Sequence, residues 1–181
     1  DRSSAASDVY KRQMLIHVVE TARKSHARKI WVATDSKTIA IICKQFDVPY
    51  IMTSPTHQSG TDRLAQAAKI LNLPDETIVI NLQGDEPAIN PTLLDDLASA
   101  LANTTAAAAT IAHPITQQED LHNPNVVKTV LNAKNEALYF SRSLIPYMRS
   151  KGIQLPVLRH IGMYAYLSLI HISEPTRLGM I

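Results

Sequence analysis

Thr77-Ile78-Val79-Ile80-Asn81-Leu82-Gln83-Gly84-Asp85-Glu86-Pro87 is the stretch on which the reading of the fold turns. Its β-branched apolar start predicts a buried strand. Gly84 allows a sharp turn, and Pro87 removes a ladder donor and ends the strand. Asp85 and Glu86 therefore sit at the strand's C-terminal end, where open parallel sheets bind ligands. One or two carboxylates together with phosphate oxygens suit a hard cation such as Mg2+. A solvated acidic turn would have the same composition, and the stretch alone leaves both readings open.

Working outward, the flanking segments alternate between strand and helix patterns. Upstream, residues 29–34 and 49–52 are short apolar runs with strand character. Asp35 and Ser36 are good helix caps after the first run, and residues 37–46 and 61–71 carry helical apolar stripes. A further helix is expected from Met14, where Met14, Leu15, Val18, Val19 and Ala22 share a face. Downstream, Pro91 opens a helix whose face is Leu93, Leu94, Leu97, Ala98 and Leu101. Strand patterns then follow at residues 106–115, 126–131, 137–140 and 158–166, the middle two forming a hairpin across a polar turn. This order predicts an α/β protein with a mostly parallel sheet and a mixed or antiparallel edge.

Bulk properties narrow the function class. At 181 residues, 45% apolar and a net charge of +2, the chain fits an ordinary soluble domain. No basic tract suggests nucleic acid, and no apolar run reaches the ~18 residues of a membrane helix. The single cysteine, Cys43, cannot form an internal disulfide. Neither Cys43 nor His17, His26, His113 and His122 shows zinc-ligand spacing.

With only five glycines, their positions carry information. Gly60 lies in His57-Gln58-Ser59-Gly60-Thr61-Asp62-Arg63, just ahead of a helix. Ser59, Gly60 and Thr61 could present N–H groups to a base carbonyl or an anion, with Arg63 reaching back to the same place. A plain N-cap followed by a surface arginine fits the same residues. No dinucleotide fingerprint and no P-loop occurs.

Taken in order, Ala33-Thr34-Asp35, residues 57–63, Asn81-Leu82-Gln83-Gly84-Asp85-Glu86-Pro87, Asn123-Pro124-Asn125-Val126-Val127-Lys128, Leu138-Tyr139-Phe140-Ser141-Arg142 and Arg159-His160-Ile161-Gly162-Met163-Tyr164 resemble 3-deoxy-manno-octulosonate cytidylyltransferases (CMP-Kdo synthetases). The resemblance covers residues 14–166. It implies a Rossmann-like nucleotidyltransferase fold, a cytoplasmic homodimer, and formation of CMP-Kdo and pyrophosphate from CTP and Kdo for lipopolysaccharide synthesis. Carried over by position, Asp85 would hold Mg2+, and Asp85 and Arg142 would form the catalytic pair. Thr34, Asp35, Ser59, Gly60, Arg63, Gln83 and Gly84 would bind the nucleotide. Arg142, His160 and Tyr164 would line the sugar site. A different acidic-sugar cytidylyltransferase, a metal-dependent glycosyltransferase and a non-catalytic nucleotide-binding module are the alternatives.

The chain also departs from that family. Members open with a strand and an Arg/Gly/Pro/Lys loop around the triphosphate, and they continue past the position of Tyr166 into a segment with dimer contacts and a second metal-binding aspartate. Residues 1–13 and 167–181 stand in those places and resemble translated sequencing-adapter sequence. The expectation is a truncated cytidylyltransferase domain at residues 14–166 with non-native ends and little or no activity of its own.

Overall fold

The computed structural model describes residues 2–84, 89–149 and 155–167, with side chains from Tyr10 onward except that of Lys11. Strand β3 (Ile78–Asn81) lies where the apolar run placed it, but all of its residues are half-buried rather than fully enclosed. Its described partner is the end of β7 (Leu158–Leu167), and the pairing is antiparallel, from Ile78 opposite Leu167 to Asn81 opposite Tyr164. Parallel pairing is confined to β1 (Val32–Thr34) and β2 (Tyr50–Met52) among the described residues. The α/β class holds, with more antiparallel ladder than expected. Apolar periodicity marks a strand but not the direction of the neighbour it will meet.

The chain divides into two compact units: Asp1–Ala109 with Tyr164–Arg177, and Thr110–Met163 with Leu178–Ile181. In the first unit, α1 (Arg2–Arg23), α2 (Lys37–Gln45), α3 (Gly60–Ile70) and α4 (Pro91–Ala102) surround β1, β2 and β3. Helix α1 begins well before Met14, where periodicity had placed its start. Residues 2–13 contain no Gly or Pro. A helix anchored by Val18, Val19 and Ala22 can therefore propagate back through them without an apolar stripe. Val19, Cys43 and Val48 form one buried cluster, and Ala65, Ala68 and Tyr166 form another.

Helices α2 and α3 end alike. Asp47 (φ 51°) and Asn72 (φ 49°) take the left-handed conformation one residue past the cap. Val48 N–H then donates to the Cys43 carbonyl at 2.8 Å, and Leu73 N–H donates to the Ala68 carbonyl at 3.2 Å. These are Schellman closures, in which a short polar side chain substitutes for the usual glycine. Each delivers an apolar residue, Val48 or Leu73, to a core cluster.

In the second unit, β5 (Lys128–Leu131) pairs antiparallel with β6 (Ala137–Ser141) and with Leu158 and Arg159 of β7. The hairpin turn is closed by Asn132, whose Oδ1 accepts from the N–H groups of Lys134 and Glu136, both at 2.9 Å. Strand β4 (Ala108–Pro114) contributes Thr110, and a short helix, α5 (Gln118–His122), was not expected from periodicity. The Ile145–Pro146 peptide is cis. No helix among the described residues is long and apolar enough to cross a membrane.

Candidate active site

Thr34, Asp35, Ser59, Gly60 and Arg63 come together in the first unit. Parallel pairing of β1 with β2 brings Thr34 and Thr53 to the same strand ends, where Thr53 N–H donates to the Thr34 carbonyl at 2.9 Å. Both threonines are buried. Thr34 Oγ1 accepts from Ser36 N–H, and Ser36 caps α2. Asp35 is left exposed at the tip of β1. From the first turn of α3, Arg63 donates to Thr53 Oγ1 at 2.8 Å and to Asp35 Oδ2 at 3.1 Å. The hydrogen bond from Arg63 holds the Asp35 carboxyl below its ordinary range. The guanidinium is therefore aimed before any ligand arrives, with the rest of its donor fork unused by these contacts.

Ser59 answers one question that the sequence left open. Its hydroxyl accepts from Asp62 N–H at 3.1 Å and donates to Asp62 Oδ2 at 2.7 Å. The side chain is thus consumed as the cap of α3, and what α3 offers a ligand is the backbone N–H groups of its first turn. The Ser-x-x-Asp spacing signals this reciprocal cap in the sequence. Gly60 has no left-handed backbone, and a Cβ added to it would meet nothing nearer than Asn81 Nδ2 at 3.9 Å. Gly84 likewise has no positive φ and nothing within 4 Å of an added Cβ. Gly84 does lie in a turn beyond β3, as its position predicts, but neither glycine is required by a left-handed backbone or a close approach. Gln83 and Gly84 are exposed beyond the end of β3.

Tyr164 also belongs to the first unit and stacks on Tyr166 with ring centroids 5.8 Å apart. Burial, followed by the neighbouring Tyr166 phenol, raises the Tyr164 hydroxyl above its ordinary value. The Tyr166 phenol is raised by burial, partly opposed by a hydrogen bond with Thr61.

Arg142 and His160 lie in the second unit. His160 Nε2 is 2.8 Å from Thr110 Oγ1, which is also 2.7 Å from the Met163 carbonyl and 3.2 Å from the Ile161 carbonyl. The Thr110 hydroxyl thus sits among one ring nitrogen and two carbonyls, and which of Thr110 and His160 donates follows the ring's tautomer. Phe140 packs on the imidazole at 4.6 Å, and burial lowers its proton affinity, keeping it neutral. Arg142, just past β6, is exposed and donates to the Pro124 carbonyl at 2.7 Å. Arg159 pairs with Asp120 at 3.7 Å.

Asp85, expected as the metal ligand, and its neighbour Glu86 lie outside the described residues. Among the described residues no cluster of three or more His, Cys, Asp or Glu side chains could hold a metal ion. Periodicity missed Thr53, Thr110 and Lys128, each of which orients a candidate site residue. Lys128 closes the quoted Asn123–Lys128 motif and falls in phase with Val126, and it is fully buried. Cys43 is a core residue whose thiol burial pushes upward, in keeping with an inert side chain.

The sequence profile of the family described as cytidylyltransferase matches residues 7–174. The 3-deoxy-manno-octulosonate cytidylyltransferase of Neisseria meningitidis serogroup A is 44% identical over 170 residues, covering 90% of this chain and 67% of that protein. The enzyme of the same name from Polynucleobacter asymbioticus is 44% identical over 163 residues, covering 88% and 64%. A solved CMP:2-keto-3-deoxy-manno-octonic acid synthetase complexed with CTP superposes with a TM-score of 0.82 at 35% identity, over 93% of this chain and 68% of that one. The chain thus spans about two thirds of the length of these relatives.

Proposed function

The chain belongs to the cytidylyltransferase family, and from that premise we infer that it carries the transfer of CMP from CTP to 3-deoxy-manno-octulosonate, releasing pyrophosphate, in lipopolysaccharide synthesis. The observation that carries this reading is Arg63, pinned between Asp35 and Thr53 beside the first turn of α3. A guanidinium and free backbone N–H groups together suit the carbonyl of a pyrimidine base and a nucleotide's oxygens. Thr34 and Asp35 hold this corner in place, and Gln83 and Gly84 extend it past β3.

On the sugar side, Arg142 meets the carboxylate, a charge-assisted pairing that favours a planar fork over an ammonium. His160 contributes a half-buried imidazole to the lining of the sugar site, and Tyr164 contributes a phenol whose pKa burial raises. The anomeric hydroxyl attacks the α-phosphorus in line and pyrophosphate leaves. Little covalent work falls to the protein, so its contribution is positioning and charge stabilisation. Asp85 is the residue that would hold Mg2+, and a single carboxylate completed by substrate oxygens is an ordinary donor set for that ion. When bound, the ion would supply charge neutralisation and a lower hydroxyl pKa. We take the complete enzyme to be a cytoplasmic homodimer; the exposed Leu138, Tyr139 and Phe140 on β6 support a covered surface there.

The test is a pyrophosphate-release assay on the complete enzyme containing this chain. Release that requires both CTP and the acidic sugar is expected. Sugar transfer from a preformed nucleotide-sugar would point to a glycosyltransferase instead. Asp85→Ala should lower turnover by about a thousandfold; undiminished turnover at ordinary magnesium would overturn the assignment of Asp85.

A further inference from the structure

Lys128 has no exposed surface, yet it carries an ammonium. No carboxylate pairs with it among the described residues. An ammonium taken out of water is strongly disfavoured unless its donors are matched. Its partners are two backbone carbonyls, Asn123 at 2.7 Å and Arg142 at 3.3 Å. An apolar side chain of similar length would fill the space without that desolvation, so the value of lysine here lies in what its donors hold.

What they hold is both attachments of Arg142. The Asn123 carbonyl begins a tight turn: it also accepts from Val126 N–H at 3.2 Å, while Asn123 Oδ1 accepts from Asn125 N–H at 2.9 Å. Pro124, inside that turn, offers the carbonyl that receives the Arg142 guanidinium at 2.7 Å. Lys128 thus fixes the Arg142 backbone from one side and the acceptor of its side chain from the other. The register supports this geometry: Lys128 lies opposite Ser141, the residue before Arg142. The Ser141 hydroxyl accepts from Ser143 N–H at 3.0 Å, steadying the chain on the far side of Arg142.

We propose that Lys128 is a positioning residue for acidic-sugar recognition: from the interior it aims the exposed Arg142 guanidinium at the sugar carboxylate without touching substrate. The proposal rests on the reading that Arg142 binds that carboxylate.

The experiment compares Lys128→Met, Lys128→Gln, Arg142→Ala and the Lys128→Met/Arg142→Ala double variant in the complete enzyme. The acceptors are the sugar acid and its neutral carboxamide. Lys128→Met should raise KM for the sugar acid about tenfold and leave KM for CTP within twofold. Its effect on the carboxamide should be much smaller, because only the carboxylate uses the aimed charge. Lys128→Gln, which keeps a donor, should recover part of the loss and covers the case in which Lys128→Met does not fold. The double variant should be no worse than Arg142→Ala. Equal losses on acid and carboxamide, or multiplying effects in the double variant, would overturn the proposal while leaving the Arg142 reading intact. An unchanged sugar KM in Arg142→Ala would remove that reading and the proposal with it.

Discussion

The two units each hold a cation in a fixed place, and they do it by opposite means. In the first, Arg63 is steadied by a carboxylate, that of Asp35, at a partly exposed strand tip. The ion pair is internally neutral and lies within reach of salt and water. In the second, Lys128 and Arg142 are held by backbone carbonyls, which satisfy hydrogen bonds without cancelling charge. An uncancelled pair of cations suits a ligand that brings its own carboxylate. A neutralised guanidinium suits the polar, uncharged edge of a base, where excess positive charge would serve no discrimination. Fixing a side chain and neutralising it are separable, and the choice between them follows from the charge of what must bind.

The sharpest way to break this contrast is to remove each exposed cation and ask which substrate notices. Arg142→Ala should raise KM for the acidic sugar by roughly 30- to 100-fold, the loss of a charge-assisted contact of about 2–3 kcal/mol. Arg63→Ala should instead raise KM for CTP and leave the sugar's nearly unchanged. Steady-state kinetics with each substrate varied in turn decides it, and crossed effects would dissolve the distinction.

Stability should separate the units next. Lys128→Ala leaves a cavity and removes a donor from the Asn123 and Arg142 carbonyls, which should cost about 3 kcal/mol in urea unfolding. Arg63→Ala at the partly exposed tip should shift the urea midpoint far less.

The pH dependence should differ as well. Partial burial of His160 disfavours its charged form, so its folded pKa lies below the unfolded value near 6.5. The unfolded chain then binds more protons in that window, and this contribution is present above about pH 6.5 and is lost as pH falls through the range beneath it. His160→Gln should flatten the stability profile there. Asp35 is depressed by its bond to Arg63, so its contribution persists to lower pH and fades only as pH falls through the acidic carboxylate range. Added salt should weaken the Asp35 contribution but not that of His160.

The smallest expected effect is at Gly60. An alanine there meets only Asn81, at ordinary van der Waals distance. Thermal unfolding of Gly60→Ala should match the parent closely, and any defect should surface only in CTP binding. A large loss of stability would instead give Gly60 a role within the protein itself.

Much of this was legible in the chain. Apolar periodicity located every described helix but α5, although α1 starts earlier than its stripe, because a helix can run on through residues that bury nothing. The motif order identified the cytidylyltransferase resemblance, and the residues grouped around Arg63 meet in space. Local patterns carry such information because capping, turn chemistry and amphipathicity act over a few residues.

Partner choice acts over the whole chain, and there the tertiary structure decided. It selected an antiparallel neighbour for β3 and turned the Ser59 hydroxyl inward as a cap. It joined His160 to Thr110, fifty residues away in sequence. Above all, it buried Lys128 against the two carbonyls that frame Arg142. A lysine in a strand reads as surface from sequence alone, since nothing local reveals that carbonyls waiting across a turn and a neighbouring strand will satisfy its charge.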